Sequence, residues 1–289
     1  MWPNYITQKS LNQFIESALT EDLGDGDHSS LASIPEKAKN TAYLLMKDSG
    51  IIAGVELAEI IFKKLSPSIR VEALVKDGDV VKKGNIIMRI HGSSRAILSG
   101  ERLMLNCMQR MSGIATYTNK LNSLIGHTST KLLDTRKTTP NFRLMEKWAV
   151  FIGGGVNHRF GLYDMVMLKD NHNDFAGGIT KAVTATKDYL IRTSRDLKIE
   201  VETRNLKEVK EVLTLEGVHR IMLDNMSPAL ITEALALING RLETEASGGI
   251  TESTIRDVAE TGVDYISVGA LTHSAKSLDI SLKAEQFEN

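Results

Sequence analysis

The chain has 289 residues, enough for roughly two domains at about 150 residues each and for a sizeable core. Hydrophobic residues make up 42% and charged residues 25%, with Gly 22 and Pro 5, which excludes a collagen-like, disordered or disulfide-stapled chain. A net charge of -1, from 35 basic against 36 acidic side chains, excludes a general nucleic-acid surface and makes any strong positive field local.

The one cysteine, Cys107, cannot form an internal disulfide, which fits a reducing compartment. No uninterrupted apolar run approaches the roughly 18 residues of a membrane helix. The run Ala149-Val150-Phe151-Ile152 meets three glycines. The segment Met1-Trp2-Pro3-Asn4-Tyr5 lacks a basic region followed by an apolar core, so no secretory signal is expected. The expectation is a soluble, cytoplasmic protein with neither nucleic acid nor membrane as a partner.

Along the chain, Leu11, Phe14, Ile15, Ala18 and Leu19 recur at helical spacing before the turn-rich stretch 23–28. Strand-like runs follow at 42–46, 71–75 and 86–90. The glycine turns Lys76-Asp77-Gly78-Asp79 and Lys82-Lys83-Gly84-Asn85 between the last two suggest hairpins. This reads as an α+β domain. From about residue 99 the period changes: Leu103, Cys107, Met111 and Ile114 share one face of a helix, with Arg102, Asn106 and Gln109 adjoining.

Beyond that helix, strand candidates at 131–134, 164–168, 198–202, 220–224, 242–246 and 264–268 alternate with helical stretches. Asn205-Leu206-Lys207-Glu208 reads as a capping box, and Ser227-Pro228 as an N-cap followed by proline. The alternation predicts parallel strands with crossover helices.

A barrel is favoured over an open sheet because polar residues cluster past the strand ends, where α/β barrels build their active sites. These are Asp134-Thr135-Arg136-Lys137, Lys169-Asp170-Asn171-His172, Glu202, Asp224-Asn225, Ser247-Gly248-Gly249 and Gly269-Ala270. Glycines let backbone N–H groups approach an anion, so the last two turns suggest phosphate, with a helix expected to start near Thr251. Arg136, Lys137, His158, Arg159 and Lys169 suit a small, multiply charged anion. Glu202 and Asp224 end neighbouring strands and suit Mg²⁺ or a developing cation, with Glu200 pointing the same way as Glu202. Zinc-ligand spacing is absent around His158 and His172. Two other readings compete: an aldolase-type Lys169 nucleophile, and a carrier domain modified at Lys47.

Together these segments resemble the quinolinate phosphoribosyltransferase family. The matching run also takes in 21–27, Gly100-Glu101-Arg102 with Asn106, 111–116, Gly153 to Arg159, Glu200-Val201-Glu202 and Glu245 to Thr251, in family order. The resemblance implies an N-terminal α+β sandwich-like domain, residues 1–111, covering the partner subunit's active site. An incomplete, seven-stranded α/β barrel over 112–289 is expected to follow, its C-terminal tail packing back on the first domain. It implies a homodimer with Arg102 supplied across the interface, and leaves further assembly open. The implied reaction joins quinolinate to phosphoribosyl pyrophosphate with Mg²⁺, giving nicotinate mononucleotide, pyrophosphate and carbon dioxide.

By resemblance, Arg136, His158, Arg159 and Lys169, with Arg102 of the partner subunit, bind quinolinate, Thr135 is a further substrate-binding residue, and Lys137 meets the phosphates. Glu202 and Asp224 handle ribose and magnesium, and Ser247, Gly248, Gly249 and Gly269 hold the 5-phosphate. Lys137, Glu202 and Asp224 form the implied catalytic set.

Overall fold

The computed structural model describes residues 2–285. Two compact units emerge: Met1–Asn119 with Thr138–Gly154 and Leu271–Asn289, and Lys120–Lys137 with Gly155–Ala270.

In the first unit, α1 (Gln8–Leu23) starts where Thr7 and Ser10 cap each other: the Ser10 N–H donates to Thr7 Oγ1 at 3.1 Å and the Thr7 N–H to Ser10 Oγ at 2.9 Å. Leu11 and Ile15, one turn apart, are its buried residues. The chain continues through α2 (His28–Ser33), β1 (Lys39–Met46), β2 (Gly50–Ile51), α3 (Val55–Leu65), β3 (Arg70–Ala73), β4 (Val80–Val81) and β5 (Ile86–Ser93) to α4 (Ser94–Ile125). The two expected glycine turns are present, closed by Asp79 N–H to Lys76 O and Asn85 N–H to Lys82 O. They do not make one tight hairpin, because β4 between them pairs with β2 while β3 pairs with β5.

Next come β6 (Lys131–Leu133), α5 (Arg143–Ile152), β7 (Val166–Leu168), α6 (Asp170–Ala176), α7 (Ile179–Arg192), β8 (Ile199–Thr203) and α8 (Leu206–Val212). Then follow β9 (Arg220–Asp224), α9 (Pro228–Ile238), β10 (Glu243–Ser247), α10 (Ile255–Ala259), β11 (Tyr265–Ser267), α11 (Ala270–His273) and β12 (Ile280–Ala284). The Asn205 side chain accepts the N–H groups of Lys207 and Glu208, and Ser227 caps α9 with Pro228 at its first turn.

The sheet of the first unit has the order β12-β1-β5-β3, with antiparallel neighbours. Its core joins Leu44, Met46, Phe62, Ile87, Met88, Ile90, Met104 and Met108. The boundary expected between residues 111 and 112 falls inside α4, a continuous 32-residue helix. Two side chains of α4 hold the C-terminal return, with Gln109 Nε2 donating to Ile280 O at 2.8 Å and Arg110 Nη1 to Ala275 O at 2.7 Å. Arg110 also donates to fully buried Glu146 of α5 at 3.0 and 2.9 Å.

The second unit carries six parallel strands, β6-β11-β10-β9-β8-β7. The seventh position implied for the barrel is a single parallel bridge, Val156 beside Leu133 on the outer edge of β6. The sheet is thus an incomplete α/β barrel. Every residue of β8 is buried, as expected of a strand covered on both faces. Among the described residues, no helix is long and apolar enough to cross a membrane.

Gly113 of α4 lies so close to the C-terminal return that an added Cβ would sit 2.0 Å from Lys276 O. Backbone must move to admit it, an overpacking cost of about 1–3 kcal/mol. Gly113→Ala is therefore expected to lower the melting temperature by roughly 2–10 °C in differential scanning calorimetry. An unchanged melting temperature would show that the return does not press on α4.

Candidate active site

The carboxyl ends of β6 to β11 gather the polar residues singled out from the sequence. At the end of β6, Asp134 is fully buried and accepts the His158 N–H at 2.8 Å and Asn157 Nδ2 at 2.6 Å. Two loops are thereby tied together: Thr135-Arg136-Lys137 and Asn157-His158-Arg159. The Thr135 hydroxyl accepts the Lys137 N–H at 3.0 Å, tightening the first turn, and Arg136 and Lys137 are exposed. Arg159 is held by Nη1 donating to Met165 O at 3.0 Å. Burial, and then the like charge of Arg136, lowers the Arg159 pKa, so the two guanidiniums form one positive patch.

His158 sits behind that patch. Its Nε2 lies 3.0 Å from Glu200 Oε2 and 3.1 Å from Glu245 Oε2, and all three residues are buried. Arg220 of β9 closes the cluster, with Nη1 3.3 Å from Glu245 and 4.0 Å from Glu200, and its guanidinium 4.2 Å over the Tyr265 ring. Burial alone would pull the His158 pKa down, but the two carboxylates outweigh it and push it up to about 9. An opposing feature is the Arg159 N–H, which donates to His158 Nδ1 at 2.6 Å and disfavours a second ring proton there. Both are satisfied when the extra proton is shared across the Nε2–carboxylate contacts, with Glu200, raised by burial and by Glu245, able to take it.

On β8, Glu200 and Glu202 share a face as expected. Glu202 is buried and its Oε2 lies 3.2 Å from Lys169 Nζ. Burial raises the Glu202 pKa; Lys169 works against this, while Asp224 and Asp170 add to it. Asn225 Nδ2 donates to Asp224 Oδ2 at 2.5 Å and fixes that carboxylate at the end of β9. His172 accepts the Lys169 N–H at 3.1 Å, a role at the start of α6 and not in a metal site.

Past β10, Ser247 O accepts the Asn225 N–H at 2.8 Å. Gly248 adopts φ +93° and a Cβ there would fall 2.3 Å from Asn225 Oδ1; Gly249 adopts φ +63° and faces open space. The helix expected near Thr251 begins only at Ile255, because Thr251 O first closes turns with the N–H groups of Thr254 and Ile255. The glycine turn itself, and not a helix start beside it, follows β10. Gly269 lies directly after β11, before α11.

Family models now decide the matter. The N-terminal domain of quinolinate phosphoribosyl transferase matches residues 27–112, and its C-terminal domain matches residues 114–283. The chain belongs to the quinolinate phosphoribosyltransferase family. A chloroplastic nicotinate-nucleotide pyrophosphorylase (carboxylating) of Oryza sativa subsp. japonica is 49% identical over 290 residues, covering 95% of this chain and 78% of that one. A probable nicotinate-nucleotide pyrophosphorylase (carboxylating) of Bacillus subtilis is 41% identical over 275 residues, covering 95% and 92%. The structure of the nicotinate-nucleotide pyrophosphorylase from Francisella tularensis has a TM-score of 0.89 at 38% identity and covers 98% of both chains.

In this family member, the strand ends bring together Arg136 with Arg159, Lys169 with Glu202, and Asn225, which holds Asp224, with the Gly248 turn. Arg102 is exposed on α4 of the other unit. Both ring nitrogens of His158 are engaged by the protein, one by carboxylates and one by a backbone amide. Sequence reasoning missed Glu245 and Arg220; the available signal was charge inside strands that are otherwise buried.

The raised His158 pKa has a definite sign. The folded cluster of His158, Glu200 and Glu245 holds this shared proton more tightly than the unfolded chain does, so its stabilisation is present at low pH and is lost as pH rises through about 9. The melting temperature should fall between about pH 7 and pH 9.5, and His158→Asn should flatten that slope. An identical slope in both proteins would contradict the coupling.

Proposed function

We propose that the chain transfers the phosphoribosyl group of phosphoribosyl pyrophosphate to quinolinate with decarboxylation, giving nicotinate mononucleotide, pyrophosphate and carbon dioxide for NAD synthesis. The observation that carries this reading is the pairing of a guanidinium patch, Arg136 and Arg159, with two carboxylates, Glu202 and Asp224, at the ends of one sheet in a member of this family. A ring with two carboxylates fits the first; a ribose carbon turning positive fits the second.

Arg136, Arg159 and Lys169, with Thr135, take the ring acid, and Lys137 takes the phosphates of the second substrate. His158 steadies Arg159 from behind. Ser247, Gly248, Gly249 and Gly269 receive the 5-phosphate through backbone N–H groups, where side chains are barred at Gly248. Holding two anions against each other is the costly part of the reaction, and it accounts for the number of cations. Glu202 and Asp224 stabilise the anomeric carbon as pyrophosphate departs, and the pyridine nitrogen bonds to that carbon. The cationic ring then accepts the electron pair left when the neighbouring carboxylate leaves as carbon dioxide, and the carbon takes up a proton. No covalent enzyme intermediate is needed.

Mg²⁺ fits here because Glu202 and Asp224 are hard oxygen donors at the carboxyl ends of the neighbouring strands β8 and β9. Glu202 and Asp224, directly or through water, would hold it together with substrate oxygens, and it would neutralise charge on the pyrophosphate. The proposed assembly is a homodimer in which Arg102 of the partner subunit completes the ring-acid site. A reducing, cytoplasmic setting suits Cys107, whose burial pushes its thiol pKa up to about 12.

The test is mass-spectrometric detection of nicotinate mononucleotide. Product should need quinolinate, phosphoribosyl pyrophosphate and Mg²⁺ together; product with another ring acid alone would overturn the substrate. Arg136→Ala and Arg159→Ala should each reduce kcat/KM for quinolinate by roughly 100-fold or more, and unchanged kinetics would remove them from the site. Gly249→Ala, strained at φ +63°, should raise KM for phosphoribosyl pyrophosphate while leaving that for quinolinate unchanged. Equal effects on both would deny the turn its phosphate role.

A further inference from the structure

We infer that Glu245 and Glu200, inside the barrel, are positioning residues for the ring-acid site, acting through the His158 ring on the backbone of Arg159; this rests on the function proposed above. Each sits two residues before a strand-end group, Glu245 before Ser247 and Glu200 before Glu202, and so lies one pleat below the substrate layer on the same face. Both carboxylates are fully buried, where ionised groups are costly and where barrels of this kind are filled by apolar side chains. The proposed reaction gives neither of them a direct task.

What they do touch is a continuous chain of contacts. Arg220 Nη1 reaches Glu245 Oε2 at 3.3 Å, and Glu245 and Glu200 meet His158 Nε2 at 3.1 and 3.0 Å. On the far edge of the ring, Nδ1 accepts the Arg159 N–H at 2.6 Å. The imidazole is thus a strut with the barrel floor at one nitrogen and the ring-acid loop at the other.

The same three residues bring possible metal-ligand atoms within 4.8 Å of one another. A metal reading fails on the ring: an imidazole that accepts at Nδ1 carries its proton at Nε2 and has no lone pair there for an ion. Arg220 already supplies the positive charge that an ion would bring.

If the strut sets Arg159, its loss falls on one substrate. The phosphoribosyl side is served by Glu202, Asp224 and the glycine turn, none of which touches the His158 ring, while Glu245 also accepts a hydrogen bond from Ser267 of β11. Steady-state kinetics of the full-length Glu245→Gln enzyme should show KM for quinolinate raised roughly ten-fold, with KM for phosphoribosyl pyrophosphate within about two-fold of wild type. Glu200→Gln should move the same constant in the same direction. Glu245→Asp, which keeps the charge, should recover part of the loss and serves if the glutamine variant does not fold.

A purely structural role predicts a lower melting temperature and lower kcat with both KM values unchanged, and that result overturns the inference. Equal increases in both KM values overturn it as well. Wild-type enzyme that forms no nicotinate mononucleotide overturns the functional reading itself, and is recognised before any variant is made.

Discussion

The buried carboxylate of Asp134 is the point on which the site depends. It takes the backbone N–H of His158 and the side-chain amide of Asn157, and so joins the loop after β6 to the loop that carries Arg159. That junction works against the like charge of Arg136, which with burial lowers the Arg159 pKa. A buried acceptor fully used by N–H donors is among the stronger polar contacts a protein makes. Here it ties the loops that carry the two like-charged side chains of the proposed ring-acid site.

Charge is arranged in layers around this junction. Cations face outward at the strand ends, Glu202 and Asp224 lie beside them, and a second set of charges, Arg220 with Glu245, Glu200 and His158, fills the barrel below. Lys169 links the outer groups by its contact with Glu202. In the function proposed above, a carboxylate on the ring acid would compete with Glu202 for Lys169. Preorganised charge of both signs is what a reaction between two anions through a cationic sugar requires.

Much of this was legible in the sequence, for physical reasons. Parallel strands end where polar residues must emerge, so Thr135 to Lys137, Lys169, Glu202, Asp224 and Ser247 to Gly249 marked their own place. The caps at Asn205 and Ser227 were readable because capping is local. Non-local features were not. The pairing of β12 with β1 joins residues more than two hundred apart and leaves no local signal. The close approach of the Lys276 backbone to Gly113 of α4, which leaves no room for a Cβ, is equally non-local. The partners of the His158 ring were not legible, because nothing local shows that they are carboxylates from β8 and β10. In strands buried on both faces, alternation does not reveal which charges point inward.

The most direct measurement of this account is a crystal structure of the enzyme with quinolinate bound. The account predicts the ring's two carboxylates on Arg136, Arg159 and Lys169, with Lys169 drawn from Glu202, and His158 still directed at Glu200 and Glu245. A ring acid bound away from the ends of β6 and β7, or a His158 ring turned out of the barrel to meet it, would contradict the account.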